Sequence, residues 1–213
     1  MSPYKTMLGA VLLFMLAIAP CAALPFVHAD VPQKSESRSE GLMSSKEAEK
    51  AIAGVAQEAI LALKNKDAKA LQKLAHPDKG IRFTPYAYVD LKHDVRLSRE
   101  QLSHAFKDST VYEWGAYDGT GDPIKLTFNE YYESFIFNRD YSKSEQVGFN
   151  EAVMQGNTIN NIREAYPNGV FVEYHFSKGP DGNVMGLSSL RLVFEQLAGQ
   201  WYLVGIIHDE WTI

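Results

Sequence analysis

The end of this chain constrains its fold most. Two runs rich in β-branched and aromatic residues, 187–196 and 201–209, are separated only by Leu197, Ala198, Gly199 and Gln200. A connection this short, with a glycine in it, makes an antiparallel hairpin. With a two-residue turn at Ala198 and Gly199, Leu197 pairs with Gln200, Phe194 with Leu203, Leu192 with Gly205 and Leu190 with Ile207. Paired residues share a face. Leu190, Leu192, Phe194, Trp201, Leu203 and Ile207 then face the core. Arg191, Val193, Glu195, Tyr202, Val204, Ile206 and His208 face away. That outer set is mixed, as a surface facing solvent or a second copy of the chain would be.

The preceding run, 170–176, alternates in the same way. Val170, Val172, Tyr174 and Phe176 are expected inward; Phe171, Glu173 and His175 are expected outward. Glu173 then faces Arg191, and His175, Ser189 and His208 form one rung across three strands. A cross-strand ion pair accounts for Glu173 and Arg191. A metal site on the two histidines is the weaker reading, because a middle strand separates them by about twice the ~4.8 Å strand spacing. No third ligand stands on that rung, so no metal is assigned.

Upstream, the sequence reads as helices first. Ser44 with Glu47, Ser98 with Gln101 and Thr127 with Glu130 are three capping boxes. Behind the first, Ile52, Val55, Ala59 and Leu63 recur at helical spacing. Asp67 caps a second helix, which ends at His76–Gly80, where Pro77 and Gly80 lie close together. Residues 81–90 read as a strand, with Pro85 marking an edge or bulge. Residues 110–117 read as another, closed by the turn "DGTGDP" at 118–123. The helix behind Thr127 carries Phe128, Tyr131, Tyr132, Phe135 and Ile136. One more strand is expected at 147–153.

Helices followed by a run of antiparallel strands is an α+β pattern. This element order, with the terminal hairpin "GQW…HDEW", resembles the nuclear transport factor 2-like, or cystatin-like, superfamily over residues 44–213. The resemblance implies N-terminal helices packed on a strongly bent, mainly antiparallel sheet, cone-shaped around a long helix. "VYEWGAYDGTGDPI" and "WYLVGIIHDEWTI" are more specifically similar to segments of uncharacterised secreted bacterial proteins. The superfamily includes polyketide cyclases, isomerases, dehydratases and non-catalytic binding modules, so it leaves function open.

Within such a cone, strand parity puts Asp209 and Trp211 on the core side. A carboxylate at the mouth of a cavity is costly unless paired or hydrogen-bonded. The resemblance implies that cavity carboxylates and histidines act as general acids or bases, which makes Asp209 the candidate catalytic residue. A single bulge before residue 209 would exchange it with His208. Tyr86, Tyr88, Tyr112, Trp114, Tyr131, Tyr132 and Trp211 are candidate ligand-binding residues, since small-ligand pockets are mostly apolar with a few polar groups. "DGTGDP" lacks both the Gly-Lys-Ser/Thr of a phosphate loop and the ligand spacing of a calcium loop, and reads as a turn. His76, His93 and His104 read as surface residues. No cofactor is expected.

Composition narrows the setting. Lys5 precedes an unbroken apolar run at 7–19, shorter than the roughly 20 residues that span a bilayer. Val27-His28-Ala29 presents small residues where a signal peptidase cuts, so cleavage is expected between Ala29 and Asp30. The alternative, a lipoprotein anchored through Cys21, is opposed by Pro20 in its recognition motif. Cys21 is the only cysteine in the chain, so the mature protein would be held by its core without disulfides. No stable membrane insertion is expected after cleavage. Residues 30–43 read as a polar linker. The net charge of −5, with no basic cluster, argues against nucleic acid. The expectation is an exported binding module for a small organic ligand, a cell-envelope component or a protein partner. A homodimer would use the outer face of Arg191, Val193, Tyr202, Val204 and Ile206. The alternative is a cyclase- or isomerase-like enzyme with Asp209 as base.

Overall fold

The computed structural model describes residues 43–154 and 157–211. The export signal, the Ala29–Asp30 junction, Cys21 and nearly all of the 30–43 linker lie outside the described residues. The elements run α1 (Ser45–Lys64), α2 (Ala68–Leu74), β1 (Ile81–Thr84), β2 (Arg96–Leu97), α3 (Arg99–Leu102), β3 (Val111–Ala116), β4 (Pro123–Thr127) and α4 (Phe128–Tyr131). They continue with β5 (Gln146–Phe149), α5 (Ile162–Ala165), β6 (Val170–Phe176), β7 (Ser188–Leu197) and β8 (Gln200–Glu210). Six strands form one sheet in the order β2-β1-β8-β7-β6-β5, and β3 and β4 pair separately. Only β1 and β8 run parallel. The class is α+β, with helices on a mainly antiparallel sheet.

The three capping boxes all form, so the starts of α1, α3 and α4 were set by local chemistry. Ala48, Ile52, Ala56, Ala59, Ile60 and Leu63 of α1 are buried in the main core. Tyr174 from β6 reaches that helix, its hydroxyl donating to the Ala56 carbonyl at 3.3 Å. After α4 the chain makes a π turn, with Phe137 N–H bonded to the Tyr132 carbonyl at 2.8 Å. This turn carries Tyr132, Phe135 and Ile136 inward with Phe128 and Tyr131. β1 is shorter than the sequence suggests. It stops at Thr84, because Pro85 has no N–H to continue a ladder. β4 was not expected at all.

The hairpin register holds only near its turn. Leu197 pairs with Gln200 and Phe194 with Leu203, as expected. Val193 then pairs with Gly205, Leu192 with Ile206, Leu190 with His208 and Ser189 with Asp209. Val204 is an extra residue in β8, a bulge that shifts everything beyond it by one. Ile206 joins the inner core in place of Ile207, and Ile207 joins a second cluster on the other face. Asp209 therefore leaves the core side and His208 takes it, which reverses the expected placement of both.

The outer face is not free for a second copy of the chain. Val193, Val204 and Ile207 pack there against Phe171, Val89, Ile162 and Tyr166. Arg191, Val193, Val204 and Ile206 are all buried within the chain itself, and only Tyr202 is half-exposed. The cover comes from the chain's own residues, around Val89 and α5, which supply an apolar layer over what the sequence suggests is an exposed sheet.

Gly205 sits where that cover presses closest. A Cβ there would lie 2.6 Å from the Tyr166 hydroxyl and 2.9 Å from its ring carbon. Gly205→Ala is expected to lower stability by ~1–3 kcal/mol through overpacking, read as a drop in the urea midpoint. An unchanged midpoint would mean that Tyr166 does not hold this position.

Candidate functional site

Among the polar regions of the described residues, one is sealed and another opens on an aromatic-lined pocket. The sealed one centres on Arg191. Its Nε donates to Glu173 Oε2 at 2.9 Å, and its Nη2 donates to Asp209 Oδ2 at 2.8 Å and to the Met154 carbonyl at 3.0 Å. Ser189 donates to Glu173 Oε1 at 2.6 Å and lies 3.0 Å from His175 Nδ1. The Val153 and Met154 N–H groups also donate to Glu173, each at 3.2 Å. Glu173, Arg191 and Ser189 are 0 % exposed and Asp209 is 1 %, so solvent does not screen them. One guanidinium serves two carboxylates. Burial raises the Asp209 pKa despite the pull of Arg191, and Glu173 adds to the rise. Although burial opposes its charge, Arg191 is held charged by the two carboxylates.

This geometry gives Asp209 a structural role. It is locked in an ion pair on the face away from the helices. The expected rung of His175, Ser189 and His208 is instead His175, Ser189 and Asp209. Among the described residues, no group of three or more His, Cys, Asp or Glu side chains is placed to hold a metal. Arg191→Met would strand two buried carboxylates, and a stability loss of ~3–5 kcal/mol is expected near neutral pH. The loss should shrink as acid protonates Asp209, whose pKa burial raises. A loss that stays constant in chemical denaturation from pH 7 to pH 4 would contradict this picture.

The open region lies where β1 gives way to the loop beginning at Pro85. There a pocket of about 360 Å³ is bounded by that loop and by the β3–β4 hairpin. Pro85, Tyr86, Tyr88, Asp90 and Asp94 form one side, and Trp114, Gly115, Ala116, Tyr117 and Asp118 the other, with Thr158 at the rim. A bulge in β3 re-aims this wall. Glu113 pairs with Lys125 but Ala116 with Pro123, leaving one extra residue at Trp114–Gly115. Gly115 adopts φ +127°, which a side chain would strain. The indole N–H of Trp114 donates to the Leu126 carbonyl at 2.9 Å, and its ring stacks on Tyr131 at 4.0 Å. Tyr86 links the two walls, its hydroxyl accepting from the Asp118 N–H at 3.2 Å.

Asp94 is the acid set into this pocket. Its Oδ2 accepts from the Thr84 hydroxyl at 2.5 Å and from the Asp90 N–H at 3.1 Å. Burial pushes its pKa up to about 6, against the lowering effects of Thr84 and Arg82. The loop is pinned from outside by Asn161, whose amide bonds both the N–H and the carbonyl of Val89 at 2.8 and 3.0 Å. Asp90 bonds His93 at 2.7 Å and accepts from the Lys92 N–H at 2.9 Å.

The sequence candidates divide accordingly. Tyr86, Tyr88 and Trp114 meet at the pocket. Tyr131 and Tyr132 are core, the latter donating to the Leu63 carbonyl at 2.7 Å. Tyr112 turns to Asp108, 3.3 Å away. Trp211 follows the end of β8 and is 40 % exposed, not inward as parity suggests. His208 is 0 % exposed, edge-on to Phe135 at 6.0 Å, with Nε2 3.3 Å from Glu210 Oε2 but in poor hydrogen-bond alignment. His76 is buried, not a surface residue. Its Nδ1 accepts from the Asp78 and Lys79 N–H groups at 3.1 Å each and closes its own turn. Asp94, Tyr117 and Asp118 were missed. "DGTGDP" does turn, but it also delivers Asp118 to the pocket.

No family model matches the sequence, and no curated protein matches it. Solved structures do. A Caulobacter vibrioides protein described as uncharacterised with a cystatin-like fold is 13 % identical, with TM-score 0.36, covering 78 % of this chain and 91 % of that one. A DUF4783 family protein from Bacteroides ovatus is 12 % identical, with TM-score 0.32, covering 73 % and 94 %. A putative calcium/calmodulin dependent protein kinase II association domain from Xanthomonas campestris is 13 % identical, with TM-score 0.31, covering 76 % and 85 %.

Asp94 has a measurable signature. Its carboxyl binds its proton more tightly folded than unfolded. Its contribution to stability is therefore full below about pH 4 and is lost as pH rises through about 6. Asp94→Asn should stabilise the protein at pH 7.5 by ~1–2 kcal/mol, after discounting for partial solvent exposure. The gain should vanish near pH 4. A variant less stable than wild type at pH 7.5 would overturn the raised pKa.

Proposed function

We propose that this chain is an exported, non-catalytic binding module whose ligand site is the pocket between the Pro85 loop and the β3–β4 hairpin. The observation that carries this reading is the lining itself. Tyr86, Tyr88, Trp114 and Tyr117 supply aromatic surface, and Asp94 supplies one partly desolvated polar group. A volume of about 360 Å³ suits a small molecule or one residue of a cell-envelope polymer. Asp209, engaged with Arg191, is withdrawn from acid–base work. A thermal-shift screen of small amines, sugars and carboxylates tests the reading. At least one class should raise the melting temperature of wild type but not of Tyr88→Ala, a change at a position 53 % exposed. Stabilisation that survives in Tyr88→Ala would place the ligand elsewhere.

One observation favours the enzymatic alternative. A pocket carboxylate with a pKa near 6 is well matched to general-base work. In that reading Asp94 replaces Asp209 as the base of a cyclase- or isomerase-like reaction. Turnover of an enolisable substrate, abolished in Asp94→Asn with binding retained, would favour catalysis over simple binding.

A further inference from the structure

We propose that the pocket selects an organic cation, a primary or quaternary ammonium group on a small carbon skeleton. This rests on the ligand-site reading above and narrows it to one ligand class. The aromatic walls come first. Tyr88 and Tyr117 are 53 % and 39 % exposed, and Tyr86 is half-buried beside them. Phenol rings of this kind present negative π faces to a cation within about 6 Å.

The charges point the same way. Asp90, Asp94 and Asp118 line the pocket, and among the described residues no lysine or arginine does. The nearby cations face elsewhere. Arg82 donates to the backbone carbonyls of Asp90 and Asp94 at 3.1 and 3.4 Å, and His93 pairs with Asp90 on the solvent side. The carboxylates that line the pocket would repel an anion. A neutral sugar could stack on the rings and donate hydroxyl hydrogen bonds to the acid, but it carries no charge to set against the carboxylates. A cation gains from both; a quaternary ammonium, being weakly hydrated, does so at little desolvation cost, and a primary one adds N–H donors for the carboxylate.

Asp94 then makes binding depend on pH. The charged or titratable groups that act on it are Arg82 and Asp90, with the phenols of Tyr131 and Tyr166 also within electrostatic reach. With its carboxyl half-ionised near pH 6, a cation would find it charged at pH 7.5 and largely neutral at pH 5.

The test is titration of the mature chain with tetramethylammonium, n-butylammonium, glucose and acetate, followed by amide chemical shifts of the 85–94 and 114–118 segments. Both ammonium probes should shift those amides, with affinity falling about tenfold from pH 7.5 to pH 5, the ratio of ionised Asp94. Asp94→Asn should lose a similar factor at pH 7.5 and lose its pH dependence, and Asp94→Glu should restore part of both. Thermal melts of each variant confirm folding. Glucose or acetate shifting the same amides at lower concentration than either ammonium would overturn the cation class and leave the ligand site standing. Ammonium binding indifferent to Asp94→Asn would overturn the proposal. No shift at those amides with any probe would overturn both readings.

Discussion

Arg191 is the interaction on which the rest of the sheet depends. One buried guanidinium joins three neighbouring strands, taking Glu173 from β6 and Asp209 from β8, and it also holds the Met154 carbonyl of the overlying segment. A buried cation cannot be left unpaired without a penalty of several kcal/mol. The register that satisfies it is therefore strongly selected. Without the Val204 bulge, Ser189 would face His208, and Asp209 would point into the helices. The bulge puts the carboxylate on the cation's side and the imidazole among aromatic rings.

Sealing that cluster has a consequence for where function can lie. Val89, Ile162 and Tyr166 supply the apolar layer over the outer face, and Glu173 gives its remaining acceptor capacity to the Val153 and Met154 N–H groups. The sheet is thus covered on both sides near its middle. One place that stays open is where β1 ends. Pro85 cannot extend the ladder, so the chain leaves the sheet there and turns back at Asp90–Asp94. The β3–β4 hairpin rises opposite, and the space between them is the pocket.

Much of this was legible in the sequence, for reasons that are local. A capping box involves four consecutive residues, so Ser44–Glu47, Ser98–Gln101 and Thr127–Glu130 could be read directly. The β6 parity was legible because apolar and polar residues alternate from Val172 to His175. The β8 parity was not. Leu203, Val204, Gly205, Ile206 and Ile207 are all apolar or side-chain-free, so either register buries an apolar set on each face. The bulge leaves no mark in such a run, save that glycine inside a strand signals a bulge or a close approach. Gly205 does both, beside Val204 and under Tyr166. The pocket was half legible. Tyrosine density marked Tyr86, Tyr88 and Trp114, but Asp94 becomes a pocket acid only through Thr84 and burial. Nothing in "DLKHD" separates it from an ordinary loop aspartate.

Asp94 also ties the pocket to stability. The folded protein keeps a carboxylate where its environment favours the neutral acid, and it keeps the loop with it through the Thr84 hydroxyl and the Asp90 N–H. A site arranged only for stability would carry an amide or an apolar residue there. Local features that oppose folding concentrate at functional positions, because selection tolerates their cost for what they bind. By linkage, a positive group that finds Asp94 ionised must lower its pKa and stabilise the fold, by an amount that grows with ligand concentration relative to its Kd. The residue that weakens the empty protein is then the one through which a ligand would strengthen it. In the Arg191 cluster the carboxylates already have their cation, and that same free energy is spent internally on register.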